Sequence, residues 1–360
     1  MWNKTEVSKR LGITFPIIQG PFGGGLSSTR LAATVSNAGG LGSYGVHTME
    51  PRRISELAAE IRSLTAKPFA FNLWIPNANE TSPSAEQFER GLSLFGRYYD
   101  ELGIARPVRP DRFGPDYEAQ IKAVLDASPP VFSFVFGVPE KALLQECRVR
   151  GIVTIGTATT PDEAAVLDDA GIDCIVATGF EAGGHRGSFL KSAEESLTGT
   201  FALVPQVVDR VKTPIIAAGG IADARGIVAA FALGAQGVQI GTAFLACEES
   251  GANAGHREKL FSDERKHTTL TKVFTGRLTR SIRNRFVDEM QAHEQRMPPY
   301  PVQRWLTGTL SASAIAQGRT DFMALSAGQA AGLLRQRDAN SLIEELVREI
   351  PTVQERLRNS

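Results

Sequence analysis

The chain has 360 residues, of which 42% are hydrophobic and 22% are charged, so it is long enough to bury a large core. Lys and Arg together number 39, as do Asp and Glu, and this balance excludes the strongly basic surface that binds nucleic acid or an anionic membrane. We therefore expect neither partner, and any anionic ligand must be held by a local site.

Cysteine usage and the start of the chain indicate the compartment. Cys147, Cys174 and Cys247 are odd in number, widely spaced and in no CxxC pair, which argues against a disulfide framework or a metal site. The opening MWNKTEVSKRLGITFP lacks the apolar stretch of a signal peptide, and no apolar run reaches the ~18 residues of a membrane span. We expect a cytoplasmic protein without metal, with Cys174 and Cys247 in its core.

Short apolar runs recur along the chain, many of them rich in β-branched residues. Runs of this kind are typical of parallel strands that helices cover on both faces. The eight runs span residues 15–20, 41–45, 68–74, 130–137, 151–157, 173–179, 213–220 and 237–244.

Helical patterns lie between most of these runs. Residues 51–64 place apolar side chains on one face and begin with Pro51, residues 161–170 begin with a proline and acids, and residues 223–233 follow Asp223 as a plausible N-cap. The alternation predicts an α/β protein with a (β/α)8 TIM barrel. A doubly wound open sheet is the competing architecture.

Two stretches interrupt the alternation. Residues 75–120 form a polar insertion after the third run and open with IPNANETSPS, which is typical of a loop. Residues 248–320 carry charge-rich helical patterns. We expect a barrel over 1–247, a smaller helical lid formed by the insertions and 248–320, and C-terminal helices over 321–360 that pack back on the barrel.

A phosphate site is predicted after the last two runs. The segment AAGGIADARG (217–226) follows the seventh run, and QIGTAF (239–244) ends the eighth. Glycines let backbone N–H groups turn inward, the following helix N-terminus adds positive potential, and Thr242 offers a hydroxyl. Loops after these two strands commonly hold phosphate in this fold. Ordinary tight turns are the alternative.

Two other strand ends suit a flat ligand over the barrel mouth. The first run ends in IIQGPFGGG, where Gly23 and the next two glycines permit close backbone contact. The third run contains Asn72, whose amide could bind the edge of such a ligand. Alternatively, Asn72 caps a loop turn.

The sixth run leads into FEAGGHRGSF (180–189), which surrounds His185 with glycines that allow close approach to a flat ligand. Histidine titrates near neutrality, so it can take a proton or stand beside an anion. A surface loop histidine is the alternative, and we expect the neighbouring Arg186 to face solvent rather than a carboxylate. No role is expected for the remaining histidines, which are His47, His256, His267 and His293.

Several common catalytic motifs are absent from the sequence. It contains no GxSxG elbow, no HExxH, no P-loop and no GxGxxG directly after a strand. The residues alone therefore predict a barrel that holds a phosphate-bearing planar cofactor beside one histidine.

Five motifs carry a family resemblance. PIIQGPFGGG, FNL, EAGGHRG, AAGGIADARG and GVQIGTAF, in this order, resemble the nitronate monooxygenases, formerly called 2-nitropropane dioxygenases, which are FMN-dependent barrels. The resemblance covers about residues 13–250 and resumes in DFMALSAGQAAGLL (321–334). The chain departs from the common pattern at Thr178, Phe180 and Ser326, where the family often has Gln, Ser and Trp.

The resemblance implies FMN as cofactor and assigns its contacts. The backbone of residues 21–23 would lie against the flavin ring, side chains at 72 and 178 would contact it, and the phosphate would lie at the last two strand ends. The cofactor-binding residues implied are Pro21, Phe22, Gly23, Asn72, Thr178, Gly183, Gly220, Gln239, Ile240, Gly241 and Thr242.

The resemblance also implies the reaction. An alkyl nitronate, and in some members a nitroalkane, would be oxidised by FMN and O2 to a carbonyl compound and nitrite. His185 would be catalytic, with Tyr300 and Arg304 shaping the pocket or meeting the anion. An FMN-dependent NAD(P)H reductase of a quinone or enoyl thioester stays open, as does a non-redox barrel enzyme with a phosphate ligand. A homodimer is one assembly that the sequence allows.

Overall fold

A computed structural model describes residues 1–76 and 84–359, so most of the segment predicted as a loop after the third strand lies outside the described residues. The described strands are β1 Ile17–Gln19, β2 Gly42–Gly45, β3 Phe69–Trp74, β4 Val131–Val135, β5 Val153–Ala158, β6 Cys174–Thr178, β7 Gly184–His185, β8 Ile215–Ala218, β9 Gly237–Ile240, β10 Thr268–Thr271 and β11 Thr279–Ile282. Strands β1–β6, β8 and β9 are parallel and form one sheet in the order β1-β9-β8-β6-β5-β4-β3-β2.

The sheet closes on itself between β1 and the start of β2. Ile18 pairs with Leu41 as an isolated parallel bridge, and the Gln19 N–H donates to the Leu41 carbonyl at 2.9 Å. The Leu41 N–H donates in turn to Ile17 at 3.0 Å. The predicted barrel is therefore confirmed, and the open sheet is wrong.

Helices alternate with the barrel strands. The predicted helices at 51–64, 161–170 and 223–233 are confirmed as α3, α7 and α9, and no described helix is long and apolar enough to cross a membrane. The described α-helices are α1 Glu6–Leu11, α2 Thr29–Asn37, α3 Pro51–Leu64, α4 Ala85–Leu102, α5 Tyr117–Ala127, α6 Lys141–Val149, α7 Pro161–Asp169, α8 Thr200–Arg210, α9 Ala224–Ala232, α10 Thr242–Leu245, α11 Ala254–Phe261, α12 Arg285–Met290, α13 Val302–Ala316 and α14 Ala339–Asn359.

The outer ring of helices is completed by the C-terminus. The helix that follows β9, α10, has four residues and is too short to cover the barrel. Instead, α14 packs against both α9 and α2, the helices on either side of this gap. The chain therefore returns to the barrel wall after residues 248–338.

The barrel interior is filled by apolar side chains and closed at its amino end. Val7 and Leu11 of α1 are buried against an inner cluster that includes Ile18, Ile216 and Cys174. Burial of Cys174 and of Cys247 confirms that both cysteines are core residues. Because this end is plugged, only the carboxyl ends of the strands are open to a ligand.

The segment 248–320 is not wholly helical, which corrects the expectation of a helical lid. Residues 268–282 form the hairpin β10–β11, and β11 pairs antiparallel with β7. The repeated threonines of this segment, with Gly276 at the turn, indicate a hairpin. The charge-rich segments on either side favoured a helical interpretation instead. Beside the hairpin, α13 packs against α4 of the insertion, where the Tyr99 hydroxyl donates to the Leu306 carbonyl at 2.9 Å.

Candidate active site at the carboxyl end of the barrel

His185 is held by a strand rather than by a free loop. It lies opposite Thr279 in the β7–β11 ladder, and its Nε2 is 2.8 Å from the Thr275 hydroxyl. Its ring stands edge-on to Trp74, with the ring centroids 4.8 Å apart. Residue 74 ends β3, so these contacts fix the imidazole over the barrel mouth.

The imidazole of His185 is neutral near physiological pH. Burial and, to a smaller extent, repulsion of the imidazolium form by the guanidinium groups of Arg277 and Arg304 lower its pKa to about 3. The Thr275 hydroxyl can donate to Nε2 or accept from it, so either neutral tautomer is compatible with this contact. His185 can therefore present either a donor or a lone pair at Nδ1.

Arg277 lies among aromatic rings beside the histidine. Its guanidinium carbon is 3.8 Å from the ring centroid of Phe136, 4.3 Å from that of Tyr300 and 5.0 Å from that of Trp74. The side chain is 9% exposed. No role was expected for this residue, since its segment was expected to be helical.

His47 is a second histidine at the mouth, where no role was expected. It stacks on Trp74 with the ring centroids 3.8 Å apart and packs against Gly23 so closely that a Cβ there would overlap it. Its buried Nδ1 makes no hydrogen bond with any described residue, and burial holds its pKa well below the usual value. Its position two residues after β2 could have indicated a role at the site, because polar residues at the carboxyl ends of barrel strands face the mouth.

The glycines around His185 admit neighbouring parts of the protein. A Cβ on Gly183 would lie 2.5 Å from the Gly328 nitrogen, and one on Gly187 would lie 2.6 Å from a Val135 methyl. The first contact joins this segment to the tail motif, near the Ser326 carbonyl to which buried His256 donates at 3.0 Å. Contact between Gly183 and a flavin stays a prediction.

Replacing Gly183 by alanine is expected to lower the free energy of unfolding by about 1–3 kcal/mol, because the added methyl overpacks the backbone of residues 327 and 328. Gly308→Ala is the control: this glycine lies in α13 with open space around it, so the change should stabilise by about 0.5–1 kcal/mol. Urea unfolding midpoints measure both. Equal stability of Gly183→Ala and wild type would contradict the tail contact.

Arg186 is buried, so the expectation that it faces solvent is wrong. The side chain is 2% exposed and donates to the carbonyls of Thr178, Gly179 and Ser196 at distances between 2.7 and 3.2 Å. The same loop is held by Glu163, whose carboxylate accepts from the Phe189 N–H at 2.6 Å. These bonds tie the chain after β6 to the barrel and so support His185.

The ends of β1, β2 and β3 meet at the mouth. The Phe22 carbonyl accepts from the Gly45 N–H at 2.9 Å, and Gly45 is level with Asn72 in the ladder. Asn72 lies within β3 rather than capping a loop, and its Nδ2 donates to the Ser133 hydroxyl at 2.9 Å. Its side-chain oxygen makes no hydrogen bond among the described residues, which leaves an acceptor at the mouth.

Backbone donors gather after β8 and β9. The N–H groups of Gly220, Gly241 and Thr242 donate to no described residue, and Gly220 has a φ of +71°. The Thr242 hydroxyl accepts from the Gly328 N–H at 2.9 Å, so its own hydrogen is left to donate.

Two details of the predicted phosphate site are corrected. The strand β9 ends at Ile240, directly after Gln239, and Thr242 begins α10 instead of continuing the strand. The N-terminus of α9 is capped by Asp223, whose carboxylate accepts from the N–H groups of Arg225 and Gly226. Asp223 therefore already occupies the positive N-terminus of α9, and the N–H donors for an anion come from the strand ends themselves.

An open cleft of about 620 Å³ lies beside Trp74 and Arg277 at the barrel mouth. His47, Trp74, Tyr300 and Arg304 form its inner walls, and residues 109–117 form its outer wall. His185 lies behind Trp74 and Arg277 rather than in the cleft wall. The cleft brings together Tyr300 and Arg304, the two predicted substrate residues, within the size range of small-molecule sites.

Comparison with known proteins identifies the family. The family model described as nitronate monooxygenase matches residues 4–349. A probable nitronate monooxygenase of Staphylococcus haemolyticus is 39% identical over 355 residues, which cover 98% of this chain and 99% of that protein. The chain belongs to the nitronate monooxygenase family. It is accordingly an oxidoreductase, and the family consists of flavoenzymes.

Solved structures agree with this family and with the fold. Nitroalkane oxidase from Streptomyces ansochromogenes is 35% identical, with a TM-score of 0.90 over 98% of this chain and 100% of that chain. FabK from Thermotoga maritima is 29% identical, with a TM-score of 0.78 over 99% of each chain. Nitroalkane oxidase and FabK, which carry other names, thus share the barrel of the nitronate monooxygenase family.

The mouth of this nitronate monooxygenase barrel suits a flavin with a phosphate. The N–H groups of Gly220, Gly241 and Thr242, which donate to no described residue, are donors that an anion can use. The free oxygen of Asn72 is an acceptor for a ring N–H. The donor set therefore fits a phosphate-bearing planar group.

Proposed function

We propose that the protein catalyses FMN-dependent oxidation of alkyl nitronates by O2 to a carbonyl compound and nitrite. The observation that carries this proposal is a neutral histidine flanked by two guanidinium groups. His185 has a pKa lowered to about 3, and the charges of Arg277 and Arg304 act on it. A site with two positively charged guanidinium groups and a neutral imidazole favours an anionic substrate.

The electrostatics favour a nitronate over a neutral nitroalkane. A nitronate has already lost its α-proton and carries a negative charge, which the two guanidinium groups would stabilise in a partly buried site. A histidine with a pKa of about 3 is a weak base near neutral pH, so it removes the α-proton of a nitroalkane less readily. We expect nitronates to be the better substrates.

The cofactor would be held at the strand ends. When bound, FMN supplies the transfer of electrons from the nitronate to O2. In the overall reaction two nitronate ions and one O2 give two carbonyl compounds and two nitrite ions, so that each carbon–nitrogen bond that breaks is replaced by a carbonyl oxygen and both atoms of O2 are used. The residues that would bind the cofactor are Pro21, Phe22, Gly23, Asn72, Thr178, Gly183, Gly220, Gln239, Ile240, Gly241 and Thr242.

The deciding experiment is an anaerobic visible spectrum of the purified protein, with propionate 3-nitronate added first and NADPH or NADH afterwards. Bleaching of a bound-flavin band by the nitronate, without response to the nucleotides, is the expected result. Bleaching by a nucleotide alone would favour a reductase of a quinone or enoyl thioester. Absence of any flavin band would favour the non-redox alternative.

A further inference from the structure

We infer that the turn Thr275–Gly276–Arg277 is the substrate-binding part of this site, and that Arg277 binds the oxygen atoms of the anionic group of the substrate. This inference rests on the proposed function, since it identifies the residue that recognises the nitronate. It extends to other small planar anions, such as nitrate, that present two or more oxygen atoms in one plane.

The turn is held in place by contacts on both sides. Gly276 has a φ of +81°, and a Cβ there would lie 2.6 Å from the Tyr300 nitrogen, so only glycine fits. On the other side, the Thr275 hydroxyl is 2.8 Å from Nε2 of His185 and accepts from the Arg277 N–H at 3.3 Å. One hydroxyl therefore links the catalytic imidazole to the backbone of the arginine.

The guanidinium of Arg277 is oriented by its aromatic neighbours. The rings of Phe136, Tyr300 and Trp74 surround it at centroid distances of 3.8 to 5.0 Å. Cation–π contact with these rings favours the charged guanidinium at this position, and the N–H donors of a guanidinium lie in its own plane. A planar group with two oxygen atoms can then accept two parallel hydrogen bonds, as a carboxylate does.

Arg277 is better placed for this role than the other cations of the cleft. Phe136 and Trp74 contact both Arg277 and His185, so the two polar groups share one aromatic wall. Arg109 lies over Phe113 in the outer wall of the cleft, and Arg112 pairs with Glu50 at 3.2 Å. Arg304 lies in the inner wall, and its charge acts on His185 less strongly than that of Arg277.

The test compares Arg277→Met and Arg277→Lys with Arg337→Met in the flavin-loaded enzyme. Arg337→Met is a matched control, because it also removes a cation held over an aromatic ring, at 3.7 Å from the ring centroid of Phe261, and Arg337 does not line the cleft. Two quantities are measured: the Kd of nitrate, from the change in the flavin spectrum, and the KM and kcat for propionate 3-nitronate. Flavin content and thermal unfolding show which variants are folded.

Arg277→Met is expected to raise the Kd of nitrate and the KM of the nitronate by about 10- to 100-fold, as for the loss of a charge-assisted pair of hydrogen bonds. Arg277→Lys should raise both by about tenfold, because it keeps the charge and loses the planar fork. Arg337→Met should change neither by more than about twofold.

A wild-type Kd for nitrate in folded Arg277→Met would overturn the inference. Should that variant not fold, Arg277→Lys decides, and a wild-type Kd there overturns it equally. Nitrate binding that depends on Arg277, in an enzyme that does not oxidise the nitronate, would support the anion site and reject the proposed function. Failure of the anion site and failure of the proposed function therefore give different results.

Discussion

Replacing His185 by alanine is expected to lower kcat/KM for a neutral nitroalkane by about 10²–10⁴-fold, because a positioned base is lost. For the corresponding nitronate, the expected loss is about 10- to 100-fold, because only a hydrogen bond to the anion disappears. His185→Asn keeps a donor but not a base, so it should recover part of the nitronate activity and none of the nitroalkane activity. Steady-state kinetics with both substrates measure these effects.

Flavin content is the control for this pair of variants, since His185 does not belong to the predicted cofactor contacts and both proteins should stay yellow. The pH profile supplies a second check. With a pKa of about 3, the folded imidazole stays neutral at higher pH, so kcat/KM for a nitronate should show no inflection near pH 6.5 from His185. Unchanged activity on both substrates in flavin-loaded His185→Ala would remove His185 from the mechanism.

Arg186→Met is expected to lower the free energy of unfolding by about 3–5 kcal/mol. Arg186 is 2% exposed, and its guanidinium donates to the carbonyls of Thr178, Gly179 and Ser196. Methionine would fill most of the volume but donate to none of these carbonyls, of which that of Gly179 keeps the Ala182 N–H. Burial lowers the pKa of Arg186 to about 10, and the carboxylates of Glu163 and Glu181, which oppose this shift, would lose a compensating charge.

Arg52→Met is the matched control for this prediction. Arg52 has a side chain that is 92% exposed and forms only a surface pair with Glu56, so its loss should leave the unfolding midpoint nearly unchanged. Guanidinium chloride unfolding of the two variants measures the difference. If Arg186→Met is no less stable than Arg52→Met, the burial of Arg186 is wrong and the solvent-facing arrangement expected from the sequence is restored.

Much of the barrel was predictable because its signals are local. The starts of α3, α7 and α9 follow from Pro51, Pro161 and Asp223, since a fixed φ or a side-chain cap acts within one helical turn. Strand ends were less accurate: the eighth run was extended to 244, whereas β9 ends at Ile240. Apolar residues continue there into α10, and both elements bury them, so composition does not mark the boundary.

The sequence by itself determined the barrel, its open end and the position of His185 after the sixth barrel strand. These features depend on residues that are close together in the chain, namely the apolar runs and the glycines at their ends. Only the tertiary structure decided the partners of that histidine. The turn of Thr275 and Arg277 reaches His185 from about 90 residues further along the chain, through the pairing of β11 with β7. The burial of Arg186 and the stacking of His47 on Trp74 likewise depend on where distant segments pack. A charged or polar side chain gives no local sign of whether it will be buried, because the groups that satisfy it come from elsewhere in the fold.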